Sequence, residues 1–204
     1  MIPITLQPEP PSFEAKVRGP GKLFLKKFPK PSNEEFRKAS HWQACLPDLR
    51  RAYSEICAYS ACWVHSEGTV DHFWPRTKRP DLAYEWKNYR LACARLNAYK
   101  GSSTDVLDPF HIQPGWFVLN FDNFFVESST GLPANVESAV RRTIAILRLN
   151  ADDFLVQYRF SVVRDYANGD LPLDYLRRRY PFIASELQRQ NLTEAIRAHF
   201  SARN

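Results

Sequence analysis

Between Val70 and Gly101 the chain reads VDHFWPRTKRPDLAYEWKNYRLACARLNAYKG, in which the pair Asp71-His72 is followed by Asn88 and Asn97 at the spacing D-H-x15-N-x8-N. One carboxylate, one imidazole and two carboxamides are the donors needed for one hard metal ion beside one general base. Hydrolysis of a phosphodiester near neutral pH calls for such a set, because the attacking water must lose a proton while charge building on the phosphate is met. His72 suits the proton-accepting part, since a neutral imidazole, with an ordinary pKa of about 6.5, takes up a proton at working pH. Asp71 and Asn97 offer one charged and one neutral oxygen to a single Mg2+, Mn2+ or Ni2+ ion, leaving coordination positions for phosphate and water. Asn88 fits a supporting part, its carboxamide oxygen accepting from one imidazole N–H so that the other ring nitrogen meets the water.

These side chains need elements that bring them together. Neighbours on a strand point to opposite faces, so Asp71 and His72 serve one centre only at a strand end or a bend. Thr69 to Phe73 reads as a short strand and Leu82 to Trp86 as a turn or short helical piece. Asn88 to Lys100 reads as a strand continuing into a helix that carries Asn97. Upstream, Ser32 or Asn33 before Glu34 and Glu35 marks a helix start, and Pro47 opens a second helix with Leu49, Tyr53 and Ile56 at helical spacing. Downstream, Trp116 to Val126 is strand-like and aromatic, with a turn at Asp122-Asn123. Helices follow: a stripe of Val136, Val140, Ile144 and Leu147, a helix capped by Asn150 and closed by Asn168-Gly169, and two more flanking Pro181. The pattern predicts an α+β chain in three parts. Residues 1–32 form an extended proline- and lysine-rich arm suited to docking on a partner, 33–110 the core with its preceding helices, and 111–204 an aromatic hairpin and a helical C-terminal region.

The 204 residues are 44% hydrophobic and 14% aromatic, enough for a core and against global disorder. The net charge of +6 favours a polyanionic partner. From Arg76 to Lys100 there are seven Lys or Arg against two acids. Such a run is either a solvated face or a phosphate-contacting one, and its overlap with the Asp-His set makes Arg76, Lys78, Arg79, Lys87 and Arg95 a candidate nucleic-acid surface. The first 30 residues hold prolines and lysines where a signal peptide needs an apolar stretch, and no run approaches a membrane span, so a soluble cytoplasmic chain is expected. Cys45, Cys57, Cys62 and Cys93 are then expected as reduced thiols. There is no glycine-rich phosphate loop and no serine-nucleophile elbow, so ATP chemistry would fall to a separate protein.

The same residues resemble the HNH, or ββα-metal, endonucleases, in the variant whose last motif position is Asn. Val70-Asp71-His72-Phe73 with Pro75 looks like the first strand, Trp86-Lys87-Asn88-Tyr89-Arg90-Leu91 like the middle asparagine region, and Cys93 to Gly101 like the final helix. The similarity spans about Cys57 to Pro109. It implies a small ββα-metal core embedded in a mostly helical chain, with His72 as base and Asp71 and Asn97 on one ion. It also implies Lys100 turned towards phosphate, and cleavage of DNA to 5′-phosphate and 3′-hydroxyl ends. Many relatives bind a structural Zn2+ with two C-x-x-C pairs, whereas Cys57-Ala58-Tyr59-Ser60 and Cys93-Ala94-Arg95-Leu96 keep one cysteine each. Two thiolates do not close a tetrahedral site, so no structural Zn2+ is expected unless Cys57, Cys62, His65 and Cys93 combine. The opening segment, with Pro8-Glu9-Pro10, Lys16-Val17-Arg18 and Phe24-Leu25, resembles leaders of HNH proteins encoded beside ATPases in bacterial antiphage defence, the Septu type among them. That implies an effector nuclease with an ATPase partner. The competing readings are a non-catalytic nucleic-acid or partner-binding module on the same fold, and an RNA-directed nuclease.

Overall fold

The computed structural model describes residues 1–64 and 68–201. The architecture is α+β, with far more helix than strand and the strands in two separate antiparallel pairs. It divides into two compact units, one of residues 4–58 and 64–104, the other of residues 1–3, 59–63 and 105–204.

In the first unit the N-terminal segment is not the extended arm that its prolines suggest. A π-helical turn over Glu14–Arg18 runs into α1 (Gly19–Lys27). Phe13 and Val17 lie four residues apart, on one helical face, and both are fully buried beside Trp86 and Tyr89. Pro20 falls in the first turn of α1, at its junction with the π-helical turn. The start of α2 (Asn33–Lys38) is where the sequence puts it: Ser32 Oγ accepts from the Glu35 N–H at 3.2 Å, and the Glu35 carboxylate accepts from the Ser32 N–H at 2.7 Å. α3 (Leu46–Ala52) has Pro47 in its first turn but stops before Tyr53, because Ser54 and Glu55 take positive φ (50° and 61°) and reverse the chain.

β1 (Gly68–His72) pairs antiparallel with β2 (Tyr89–Cys93), Asp71 opposite Arg90 and His72 opposite Tyr89. Short 3-10 turns over Pro80–Leu82 and Trp86–Asn88 shape the loop between them. β2 passes directly into α4 (Ala94–Lys100), which stops at Gly101 in a backbone conformation (φ 51°, ψ −124°) open only to glycine. α3 and α4 both pack on the strand pair. The core is aromatic, with Phe13, Phe36, Trp42, Tyr84, Trp86 and Tyr89 around Leu49 and Leu91.

The second unit is built round β3 (Phe117–Leu119) and β4 (Val126–Ser128), with Leu119 opposite Val126. Phe121 and Phe124, in the connection, are buried with Phe117 as core. After α5 (Ala134–Ile146), Asn150 does not cap a helix. Its carboxamide bonds both main-chain groups of Val126 at 2.8 Å, and Asp152 caps α6 (Asp153–Asn168) by accepting from the Phe154 N–H. α6 closes on Gly169 at φ 89°. α7 (Leu173–Arg179), α8 (Pro181–Arg189) and α9 (Ile196–Ser201) complete the unit. Glu186 accepts from the Leu119 N–H at 2.9 Å and Gln190 donates to its carbonyl at 2.7 Å, so two side chains stand in for a neighbouring strand. Among the described residues no helix is long and apolar enough to cross a membrane.

One close approach in the first unit tolerates no side chain. A Cβ on Gly21 would lie 2.1 Å from Cγ of Tyr84, whose buried hydroxyl donates to the Ala39 carbonyl at 2.8 Å. Gly21→Ala is therefore expected to destabilise the chain by about 1–3 kcal/mol, despite the better helix propensity of alanine. Urea unfolding checks this; an unchanged midpoint would show that the Tyr84 ring moves aside freely.

Candidate active site

His72 ends β1, and the chain bends at Phe73 and Trp74. That strand end brings neighbouring side chains of opposite parity to one place: Asp71, His72, Asn97 and Arg76 line a single cleft of about 300 Å3. Asp71 and His72 come from β1, Asn97 from α4, and Arg76 from the loop between the strands.

The loop fixes the imidazole. His72 Nε2 lies 2.9 Å from the Ala83 carbonyl, which only accepts, so the proton sits on Nε2 and Nδ1 carries the lone pair. The Tyr89 hydroxyl donates to the same carbonyl at 2.8 Å. Trp42 and Tyr89 pack edge-on against the ring, with centroids 4.8 Å and 5.2 Å away. Burial pushes the His72 pKa down to about 3; the Ala83 carbonyl opposes this, while Arg76 and Lys100 reinforce it. The ring is neutral at neutral pH.

Asn88 does not orient His72. Its Oδ1 accepts from the Trp74 N–H at 2.8 Å, and its Nδ2 donates to the carbonyls of Trp74 (3.0 Å) and Leu82 (3.1 Å). The carboxamide staples the two ends of the loop, and the part expected of it belongs to the Ala83 main chain. A main-chain acceptor leaves no side-chain signal in the sequence.

Asp71 is also engaged. Lys100, on the last turn of α4, places its ammonium 3.0 Å from Asp71 Oδ1 and 3.0 Å from the His72 carbonyl, and both side chains are buried. Lys100 is thus an internal cation and not the phosphate-facing one expected from its position in the motif. Asn97 Nδ2 donates to Thr69 Oγ1 at 2.9 Å, and Thr69 donates on to the Ala92 carbonyl at 3.0 Å. The carboxamide is thereby held with Oδ1 as its remaining acceptor. Thr69 escapes notice in the sequence, although it stands two residues before Asp71 on the same strand face. Among the described residues no three His, Cys, Asp or Glu side chains cluster. Asp71 and Asn97 are side chains of the cleft whose oxygens could hold a hard cation.

Arg76 is half-buried, its guanidinium 5.0 Å from the Trp42 ring and 5.6 Å from Phe36. Its Nε is buried with no hydrogen-bond partner among the described residues. Burial, and then Arg37, lower its pKa. Lys78, Arg79, Lys87 and Arg95 are exposed, with Arg79 paired to Asp81 at 2.8 Å. Cys57, buried, accepts from the Cys93 N–H at 3.4 Å; Cys62 belongs to the second unit and His65 lies outside the described residues. No family model matches the chain, and no curated protein matches it.

Two measurements follow from this geometry. Lys100→Met leaves Asp71 without its ammonium and is expected to cost on the order of 3 kcal/mol, with part of the loss recovered in Lys100→Met/Asp71→Asn; urea unfolding of both reads it. The second is pH dependence. As pH falls below about 6.5 the unfolded chain protonates His72, whereas the folded chain does so only near 3. Stability is therefore lost from about pH 6.5 downwards at about 1.4 kcal/mol per pH unit. His72→Gln should show a shallower acid slope by the equivalent of about one proton; equal slopes would refute a buried neutral ring.

Proposed function

We propose that the chain is a metal-dependent nuclease of the HNH class, hydrolysing phosphodiester bonds of DNA. The observation that carries this reading is the cleft shared by Asp71, His72, Asn97 and Arg76. The hairpin of β1 and β2 running straight into α4 supports a ββα-metal core.

His72 takes the proton of the attacking water at Nδ1, while the Ala83 carbonyl holds the Nε2 proton and accepts the charge that develops on the ring. Burial, Arg76 and Lys100 keep the ring neutral in the free protein. A phosphate entering the cleft brings negative charge that offsets Arg76 and Lys100. Arg76, with a buried Nε in want of an acceptor, meets a non-bridging phosphate oxygen. Asp71 and Asn97 would hold the divalent cation, which when bound neutralises charge on the phosphate. Thr69 keeps the Asn97 oxygen turned towards that cation, and Asn88 keeps the loop closed so that Ala83 stays against His72.

One observation favours the alternative of a non-catalytic nucleic-acid-binding module: the Lys100 ammonium already neutralises Asp71. Cleavage separates the two. With Mg2+ or Mn2+, His72→Ala is expected to lower nicking of plasmid DNA by at least about a hundredfold, in a preparation whose circular dichroism shows it still folded at the assay temperature, since loss of the buried ring also lowers stability. Undiminished cutting by a clean His72→Ala preparation sinks the nuclease reading. Tight binding without cleavage under Mg2+, Mn2+ and Ni2+ establishes the module, and matched RNA substrates distinguish an RNA-directed enzyme.

A further inference from the structure

Within the first unit, Trp74 is the exposed large aromatic, 42% accessible, whereas Trp42 and Trp86 are buried. Its main chain is gripped on both sides by Asn88, which accepts from its N–H at 2.8 Å and donates to its carbonyl at 3.0 Å. Phe73, buried behind it, meets the indole edge-on at 5.7 Å, and the next residue, Pro75, is buried and lines the cleft. One residue, Phe73, separates Trp74 from His72, a reach of at most about 7 Å between their Cα atoms. The segment then continues as Arg76, in the cleft, and the exposed Thr77, Lys78 and Arg79. A rigidly mounted apolar ring beside a phosphate seat, followed by cations, matches the alternation of bases and phosphates along one strand.

We propose that Trp74 is a stacking platform for an unpaired nucleobase next to the phosphate held in the cleft, so that the preferred substrate is single-stranded or locally unpaired nucleic acid. The inference rests on the nuclease reading of that cleft and adds to it the state of the substrate. A duplex keeps its base faces stacked on one another, so they are hidden from an indole at the backbone. A single strand presents them, and stacking on an aromatic side chain tolerates any base. Fixing the Trp74 main chain through Asn88 reduces the ordering cost of the contact, which an indole on a mobile loop would bear in full.

The test uses the full chain carrying His72→Ala, so that substrates stay intact, with labelled single-stranded DNA, single-stranded RNA and blunt duplex DNA of one sequence in Mg2+. Trp74→Ala is expected to weaken single-strand binding about ten- to a hundredfold and duplex binding less than about twofold. Trp74→Tyr should keep most of the affinity. The slope of affinity against salt should not change, because no phosphate contact is lost. The DNA and RNA arms show which strand is preferred, and dependence on Trp74 in either supports the proposal. It is overturned if Trp74→Ala leaves single-strand affinity intact, weakens duplex and single strand equally, or lowers the melting temperature as a structural residue would. It is also overturned if the variant alters sedimentation of the protein alone with no change in oligonucleotide affinity, which makes the indole a protein contact. Cutting by the wild type without Trp74 dependence refutes only this inference; Trp74-dependent binding without cutting refutes only the nuclease.

Discussion

The Ala83 carbonyl is the point on which the first unit turns. It accepts from both the His72 ring and the Tyr89 hydroxyl, at 2.9 Å and 2.8 Å, deep in an aromatic core. Either donor left unsatisfied there would cost about 1–3 kcal/mol, so the loop carrying Ala83 must close on the strand pair for the core to form. Neighbouring contacts serve that closure. Asn88 ties Trp74 to Leu82, the Trp86 indole N–H donates to the Gln7 carbonyl at 2.8 Å, and Arg18 reaches Glu85 at 3.1 Å while also pairing with Glu9 and Glu14. The N-terminal helices thus brace the loop that fixes the imidazole. Folding energy and tautomer are set by the same hydrogen bonds.

The charges around the cleft are arranged unequally. Lys100 and Asp71 neutralise each other in the interior, His72 is held neutral, and the buried Nε of Arg76 finds no acceptor among the described residues. Two cations near a neutral base would normally be a poor arrangement for proton abstraction, since both disfavour the imidazolium. The arrangement becomes sensible when the ligand itself is an anion. Negative charge in the cleft would offset both cations.

Much of this was legible in the sequence, for identifiable reasons. The strand at Asp71-His72, the strand-to-helix passage at Cys93-Ala94 and the capping box at Ser32 are local signals, carried by side chains at fixed spacing. The parts played by Asn88 and Lys100 were not legible, because each depends on what lies across space from it. Asn88 meets main-chain groups, and Lys100 meets an acid 29 positions away in the chain. The helical run of Glu14–Lys27 was hidden by the prolines before it and by Pro20 within it, which falls where the π-helical turn passes into α1. Asn150 presented the right residue type for a cap, but the edge of β4 competed for its carboxamide.

The contact between Gly21 and Tyr84 binds together positions that have no chemistry of their own. Tyr84 follows Ala83 directly, so the ring that rests on Gly21 also fixes where the neighbouring carbonyl can stand. A bulkier residue at 21 is admissible only with a smaller ring at 84, and that exchange would shift the acceptor of the His72 ring. The two positions amount to a single inherited choice. In any lineage descended from this chain they should drift as a pair, and a glycine buried in the N-terminal helix should be as slow to change as the residues that line the cleft.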